Sequence, residues 1–331
     1  MEYRKFGKTG VDISAIGFGC WEIGGGYGSI EETEFIRAIN RALDAGINSY
    51  DTAEAYGFGA SEKSLAKALG KRRKEAVITT KFGVGYPDTP NYRDSTRKRV
   101  MESIEKSLKA LETDYVDVYL IHWPDRNVPF EEPMRALDDL VKQGKVKAVG
   151  LSNFKLNEIE ACMKVRRVDV VQYCWNMFDR RMQKEIFPYC RENQIGVMAY
   201  GSLAYGMLTG TLSEEKAFEK GDWRSRRGQL GNINLFQHLF GPDHFLKNLR
   251  AVEELKGVAK KYNKTLPQLA LRWTTSNPVV STALVGCRNP GEVDDNLGAL
   301  GWQISEADMK EIDAIFARNG AVTMPETWLE S

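Results

Sequence analysis

The sequence predicts a (β/α)8 barrel, and three observations support this fold class. Eight short apolar segments of strand length recur along the 331-residue chain, and each is followed by a segment whose apolar residues have helical spacing. The strand-like segments are almost continuously apolar, which is typical of parallel strands buried on both faces. An open doubly wound sheet is the alternative, but the first strand-like segment lacks the Gly-x-Gly-x-x-Gly turn of that fold.

The elements follow in a regular order from the N-terminus. Residues 3–13 form two strand-like pieces around a Thr-Gly turn, which predicts an antiparallel hairpin ahead of the barrel. The eight barrel strands are expected at residues 15–20, 47–50, 76–80, 116–121, 146–151, 168–171, 195–199 and 280–285. The intervening helices end at glycines such as Gly46 and Gly144, which accommodate the turn. We expect one barrel domain over residues 1–331.

Two segments stand outside this alternation. The polar stretch at about 213–244 is too long for an ordinary connection in a compact domain, and it interleaves glycines with Trp223, Phe236 and Phe240. We interpret it as a functional flap at the barrel mouth, with a linker as the alternative. The C-terminal tail at about 318–331 is expected to fold over the same mouth.

Composition argues against several classes of protein. The formal net charge is +1, so nothing electrostatic points to nucleic acid or to an anionic membrane. The apolar runs are shorter than the roughly 18 residues that span a bilayer, and the first residues lack the apolar core of a signal peptide. The five cysteines lack a Cys-x-x-Cys pair, which fits reduced thiols better than disulfides or a zinc site. We expect a cytoplasmic protein.

Four polar residues follow three successive strands of the predicted barrel. Asp51 and Tyr56 follow the second strand, Lys81 the third and His122 the fourth, so their side chains should converge on one rim. An ammonium group favours the tyrosinate, and a carboxylate fixes the ammonium group. The pattern therefore predicts Tyr56 as a proton donor to a carbonyl oxygen, with neutral His122 orienting the substrate and no metal. The alternative is a surface ion pair beside unrelated loop residues.

Residues at the ends of the later strands suit a nicotinamide dinucleotide. Ser152, Asn153 and Gln172 can hydrogen bond a carboxamide, and Tyr200 offers a flat face. The glycine-containing turns over residues 201–208 let the backbone approach a pyrophosphate, and Arg288 stands just before a predicted helix N-terminus. Taken singly, each position is also explained by loop chemistry or packing.

The sequence resembles the aldo-keto reductase superfamily over almost its whole length, with potassium-channel β subunits as more distant relatives. The motifs that carry the resemblance are Gly17-Phe18-Gly19, Asp51-Thr52-Ala53-Glu54-Ala55-Tyr56-Gly57, Leu120-Ile121-His122-Trp123-Pro124-Asp125, Gly150-Leu151-Ser152-Asn153-Phe154 and the region from Gly286 to Asn296. The resemblance implies that Asp51, Tyr56, Lys81 and His122 are the catalytic tetrad. It also implies a substrate pocket walled by Trp21, Tyr56 and Trp123.

The same resemblance implies a set of cofactor-binding residues. They are Cys20, Trp21, Asp51, Ser152, Asn153, Gln172, Tyr200, Gly201, Ser202, Leu203, Gly206, Leu208, Gly286, Arg288, Glu292, Asp295 and Asn296. Glu292 stands where the family often has glutamine, and Thr211 where a lysine is common. The resemblance implies NADP(H) as the preferred cofactor. Both departures weaken the attraction for the additional phosphate of NADP(H), so NAD(H) is expected as a second cofactor.

The predicted function is an NAD(P)(H)-dependent oxidoreductase that acts on an aldehyde, ketone or sugar carbonyl, or on the corresponding alcohol. The alternative is a cofactor-binding, redox-sensing or regulatory subunit that acts through a protein partner. A complete tetrad favours the enzyme.

Overall fold

Ten strands and eleven α-helices make up the part of the chain that the structure describes. This computed structural model describes residues 1–24, 26–27, 30–84, 93–215, 218, 222–226 and 236–321. The strands are β1 (Tyr3–Lys5), β2 (Asp12–Ser14), β3 (Ile16–Gly19), β4 (Ser49–Asp51), β5 (Val77–Phe82), β6 (Val116–Ile121), β7 (Val146–Ser152), β8 (Val170–Cys174), β9 (Gly196–Tyr200) and β10 (Val280–Gly286). The helices are α1 (Glu32–Asp44), α2 (Ala60–Leu69), α3 (Arg97–Ala110), α4 (Glu131–Lys142), α5 (Leu156–Val165), α6 (Ile186–Asn193), α7 (Gln237–Phe240), α8 (Pro242–Lys261), α9 (Leu266–Ser276), α10 (Pro290–Leu297) and α11 (Glu306–Asn319).

Strands β3 to β10 form a closed barrel of eight parallel strands. The order around the barrel is β3, β4, β5, β6, β7, β8, β9 and β10, and β10 pairs with β3 to close it. The predicted (β/α)8 fold is therefore confirmed. Strands β1 and β2 form the predicted antiparallel hairpin.

The hairpin covers the end of the barrel at which the strands begin. Arg4 donates hydrogen bonds to the carbonyl oxygens of Val280 at 2.7 Å and Thr275 at 2.7 Å, which ties the hairpin to β10 and α9. Phe6 and Ile13 are fully buried against inward-facing strand residues such as Leu120. The hairpin packs into this end of the barrel, and the functional groups of barrels of this kind lie on the opposite rim, where the strands end.

Local sequence signals set several helix ends. Thr96 accepts a hydrogen bond from the backbone of Arg99 at the start of α3, and Ser305 does the same for α11. Thr265 and Gln268 form a capping box at α9. These caps satisfy backbone N–H groups that have no partner within the helix.

Several strands extend past their predicted ends, and the largest extensions are in β5 and β8. Lys81 lies inside β5, where it is opposite Leu120 of β6, and Gln172 lies inside β8, opposite Met198 of β9. The run of apolar residues in the sequence stops at these two polar residues, whereas the backbone pairing with the neighbouring strand continues past them to Phe82 and Cys174. Both residues are nearly inaccessible to solvent, with Lys81 0% exposed, so polarity alone was a misleading signal for the end of a strand.

Helical residues lie within the described parts of the predicted flap and tail. Helix α7 and the start of α8 lie within the predicted segment 213–244, and a short 3-10 helix covers Trp223–Arg226. Helix α11 extends to Asn319, one residue beyond the expected start of the tail. Residues 216–217, 219–221, 227–235 and 322–331 lie outside the described part, so closure of the flap and tail over the mouth stays a prediction. The assignment of residues 1–331 to a single domain likewise stays a prediction.

No helix among the described residues is long and apolar enough to cross a membrane.

Candidate active site

Lys81 connects the acidic and phenolic groups of the predicted tetrad. Its Nζ donates hydrogen bonds to Asp51 Oδ1 at 2.7 Å, to the backbone oxygen of Thr52 at 2.8 Å and to Tyr56 Oη at 3.2 Å. Asp51 ends β4, and Lys81 points inward from the neighbouring strand β5. All three donor positions of the ammonium group therefore have acceptors, as a buried charge requires.

The loop between β4 and α2 fixes the position of Tyr56. The backbone N–H of Tyr56 bonds Ala53 at 3.0 Å, and the following residues Gly57, Phe58 and Gly59 all have positive φ angles of 60°, 54° and 87°. A side chain on Gly24 would lie 2.4 Å from the backbone of Gly57, so the loop after β3 packs directly on this turn. Glycine is needed here because two backbones approach closely.

Burial dominates the pKa values of the tetrad. Loss of solvent raises the pKa of Asp51 and lowers that of Lys81, and their mutual contact opposes both shifts. Burial, followed by the nearby Asp51, raises the pKa of Tyr56 well above its ordinary value. This result corrects the expectation that Lys81 and Asp51 make the phenol more acidic. In this state Tyr56 retains its proton, and Lys81 holds the phenol oxygen in place.

His122 completes the group as a neutral imidazole. Its ring lies edge-on to Tyr56 with 5.8 Å between ring centres. Burial, with a contribution from Lys81, lowers the pKa of His122 well below its ordinary value. Its Nδ1 is shielded from solvent and has no hydrogen-bond partner within the described ranges. An uncharged imidazole with an unused ring nitrogen can bond a substrate oxygen.

A hydrogen-bond network joins the tetrad to the later strands. Gln172 donates from Nε2 to Asp51 Oδ2 at 2.6 Å, although 121 positions separate the two residues. Asn153 adopts a positive φ of 66° and donates to Ser152 Oγ at 3.0 Å, while Tyr200 donates to Asn153 Oδ1 at 2.8 Å. The Gln172 contact was not predicted, because local patterns carry no information about contacts across the barrel.

A cleft of about 570 Å³ opens between the tetrad and the end of β10. Thirteen predicted site residues line it, which are Trp21, Asp51, Tyr56, Tyr200, Gly201, Ser202, Leu203, Gly206, Gly286, Arg288, Glu292, Asp295 and Asn296. Its size is in the range of small-molecule and cofactor sites. Cys20 and Leu208 are fully buried and do not line the cleft, so their contacts with a cofactor stay a prediction.

The walls of the cleft fit an extended dinucleotide. Gly201 and Gly206 have positive φ angles of 64° and 98°, and side chains there would lie 3.1 Å from Tyr205 and 2.7 Å from Arg224. Glycine is required at both positions, because the side chains of Tyr205 and Arg224 pack directly on the backbone of this turn. Asn289 caps α10 by accepting from the backbone N–H of Glu292 at 3.1 Å.

The far end of the cleft carries a surface ion pair. Arg288 Nη2 lies 2.9 Å from Glu292 Oε1, and the backbone N–H of Arg288 bonds the same carboxylate at 2.8 Å. Asp295 instead accepts from Gln268 at 3.0 Å, and Asn296 donates to Cys287 Sγ at 3.2 Å. Asp295 and Asn296 are thereby engaged within the protein.

Trp21 and two aromatic residues that were not predicted as site residues, Tyr27 and Tyr205, line the outer wall of the cleft. Trp21 packs against Tyr27 at 5.0 Å and against Tyr205 and Trp223 at 6.2 and 6.3 Å between ring centres. The backbone of Trp223 donates to Gly26 at 3.1 Å. Part of the predicted flap therefore rests on the first loop. Trp123 does not line this cleft but stacks with Arg93 at 5.4 Å, so its role in a substrate pocket stays a prediction.

Comparison with known proteins identifies the family. The model of the aldo/keto reductase family matches residues 15–317. The chain belongs to this family. It is 37% identical to aldo-keto reductase YhdN of Bacillus subtilis over 95% of this chain and 93% of the relative. It is 31% identical to the NADH-specific methylglyoxal reductase of Escherichia coli over 93% of this chain and 96% of that protein.

Solved structures agree with this assignment to the aldo/keto reductases. The glycerol dehydrogenase of Gluconobacter oxydans superimposes with a TM-score of 0.84 at 32% identity, covering 98% of this chain and 97% of that one. An aldo/keto reductase from Klebsiella pneumoniae in complex with NADP and acetate gives a TM-score of 0.73 at 25% identity, with 95% of each chain covered. The protein is an NAD(P)-dependent carbonyl oxidoreductase of the aldo-keto reductase type.

Proposed function

We propose that the protein interconverts an aldehyde, ketone or sugar carbonyl and its alcohol, with Tyr56 as the proton donor and NADP(H) as the preferred cofactor. NAD(H) is proposed as a second cofactor. The observation that carries the proposal is the three-way contact of Lys81 Nζ with Asp51, Thr52 and Tyr56. NADP in one solved relative and NADH in the name of another support both cofactors.

The proposed mechanism assigns one task to each of the chain's own groups. A nicotinamide, when bound, supplies the two electrons of the carbonyl reduction as a hydride. His122 donates or accepts a hydrogen bond that orients the substrate oxygen beside Tyr56. Tyr56 transfers its phenolic proton to that oxygen, and Lys81 stabilises the negative charge that develops on the phenol. Asp51 keeps the ammonium group in place. No step of this scheme uses a metal.

The cofactor would be held by the later strands. Ser152, Asn153 and Gln172 are proposed to bind the carboxamide and Tyr200 the ring face. The backbone of residues 201–206 and the Gly286–Arg288 end of β10 are proposed to hold the phosphates. The bond from Gln172 to Asp51 supports this assignment, because it places the amide beside the tetrad.

Replacement of Tyr56 by phenylalanine tests the proton donor. General acid catalysis contributes about 10²- to 10⁴-fold, so Tyr56→Phe should lower kcat by that factor for a panel of aldehydes, ketones and sugars. The Kd of NADPH should stay within about twofold, because the hydroxyl group is proposed to act on the substrate. Tyr119→Phe is the matched control, since Tyr119 is a fully buried tyrosine that does not line the cleft.

Retention of wild-type kcat in Tyr56→Phe would contradict the assigned role. Tight cofactor binding by the wild-type protein without turnover of any compound would instead support the redox-sensing alternative.

A further inference from the structure

Glu22 occupies a place in the cofactor cleft that the proposed mechanism does not use. It follows Trp21 in the loop after β3 and lines the cleft. A Cβ atom on Gly286 would lie 1.5 Å from Glu22 Oε1, so the carboxyl group packs directly on the end of β10. Glycine at position 286 leaves the space that this carboxyl group fills.

The carboxyl group of Glu22 is incompletely satisfied by the protein. Its Oε2 is shielded from solvent and has no hydrogen-bond partner among the described residues. A buried polar atom without a partner is costly, and such atoms in native structures call for an explanation. The explanation here is that Glu22 lines a ligand-binding cleft, so that a bound ligand can form the hydrogen bond that Oε2 lacks.

The charged neighbours of Glu22 give little compensation for a negative charge. Arg224 from the flap segment pairs with Asp222 at 2.6 Å, and Arg288 pairs with Glu292 at 2.9 Å. Glu292 itself repels a second carboxylate. The other titratable neighbours on the surrounding elements are Cys20, Tyr27, Tyr56 and Cys287, and burial raises the pKa of each. None of these four groups supplies a positive charge.

Burial in this setting raises the pKa of Glu22 to about 7. Desolvation is the main cause, Glu292 adds to it, and the two arginines oppose it. The carboxyl group therefore gains or loses its proton near neutral pH.

We propose that Glu22 is a cofactor-contacting residue whose protonated carboxyl group faces the phosphate–ribose part of the dinucleotide. This inference rests on the proposed function. The diphosphate brings two negative charges into a cleft that already holds Glu22 and Glu292, so an ionised Glu22 opposes binding. A protonated carboxyl group is neutral and donates an O–H bond to a phosphate or ribose oxygen. Binding to the ionised protein therefore takes one proton from solvent, which converts Glu22 carboxylate to carboxylic acid.

The sign of the pH dependence follows from this proton uptake. The bound state holds more protons than the free state above the pKa of free Glu22, so cofactor affinity falls as the pH rises through about 7 and beyond. The Kd should increase by up to about tenfold per pH unit in that range.

Calorimetric titration with NADH tests the inference without any turnover. NADH lacks the additional phosphate of NADPH, so no phosphate of the ligand titrates near neutrality. Titrations at several pH values between 6 and 8.5, in buffers of different ionisation enthalpy, give both the Kd and the number of protons taken up. The wild-type protein should take up close to one proton at the alkaline end.

Two variants make the assignment specific. Glu22→Gln keeps the shape of the side chain but cannot ionise, so its NADH Kd should be independent of pH and its proton uptake should vanish. Glu253→Gln is the matched control, because the Glu253 carboxylate is exposed on α8, pairs with Lys256 at 2.7 Å and does not line the cleft; it should retain the proton uptake of the wild type. Thermal unfolding of each variant verifies that it is folded.

The outcomes separate the two proposals. A wild-type protein that binds neither NADH nor NADPH at any pH would overturn the proposed function. Cofactor binding with a pH-independent Kd in the wild type, or proton uptake that persists in Glu22→Gln, would overturn the role of Glu22 and leave the proposed function intact.

Discussion

Replacing Lys81 by methionine should destabilise the protein in a pH-dependent way. Methionine is unbranched like lysine and one atom shorter, and it carries no charge, so Asp51, which is 4% exposed, loses its buried counter-ion. The folded variant must then protonate Asp51, whereas the unfolded chain keeps it ionised above its ordinary pKa. Breaking a buried ion pair by removing one partner is strongly destabilising, at about 3–5 kcal/mol.

The magnitude follows from the cost of that proton. Protonating a carboxyl group with an ordinary pKa near 3.9 costs about 4 kcal/mol at pH 7 and about 1.5 kcal/mol at pH 5. The folded state of the variant binds one proton more than the unfolded state, so its stability falls by about 1.4 kcal/mol per pH unit as the pH rises. We therefore expect a loss of about 4 kcal/mol relative to wild type at pH 7, which shrinks towards pH 5.

Equilibrium unfolding in urea at pH 5, 6, 7 and 8, with wild type in parallel, measures this loss. The double variant Asp51→Asn/Lys81→Met is the control, because a neutral amide at position 51 needs no proton and should remove the additional pH dependence. A Lys81→Met variant that loses less than about 1 kcal/mol at pH 7, or whose loss does not change with pH, would refute the reasoning.

Two further predictions concern packing and cofactor choice. Gly150→Ala should destabilise by about 1–3 kcal/mol, because its Cβ would lie 2.4 Å from the backbone oxygen of Val170 and from a Leu120 methyl carbon. A Cβ atom on Gly257 in α8 would have no neighbouring atom within 4 Å, so Gly257→Ala should raise the free energy of unfolding by about 0.5–1 kcal/mol. Urea unfolding of both variants measures the two changes, and equal changes would contradict the prediction. Glu292→Gln should strengthen NADPH binding relative to NADH by about fivefold, since the variant removes the carboxylate that competes for Arg288. Fluorescence titration gives both Kd values, and an unchanged ratio would show that Arg288 does not select the cofactor.

Much of the fold is encoded in short-range patterns. The positions of all eight barrel strands follow from apolar runs of strand length, and the helices between them follow from helical spacing and terminal glycines. The convergence of the predicted tetrad also follows from the sequence, because parallel strands in a barrel end on one rim and Asp51, Tyr56 and His122 follow strand-like segments. These features depend on neighbouring residues, so the sequence alone determined them.

Only the tertiary structure decided how these groups affect one another. Gln172 reaches Asp51 because the barrel closes and brings β8 opposite β4 across its interior. Burial reverses the expected shift in the pKa of Tyr56, since solvent access depends on the whole surrounding shell. The role of Glu22 could not be predicted from local sequence patterns, because its burial also depends on the whole surrounding shell. Its carboxyl group matters because it packs on Gly286, more than 260 positions away, in a cleft that exists only after β10 has closed on β3.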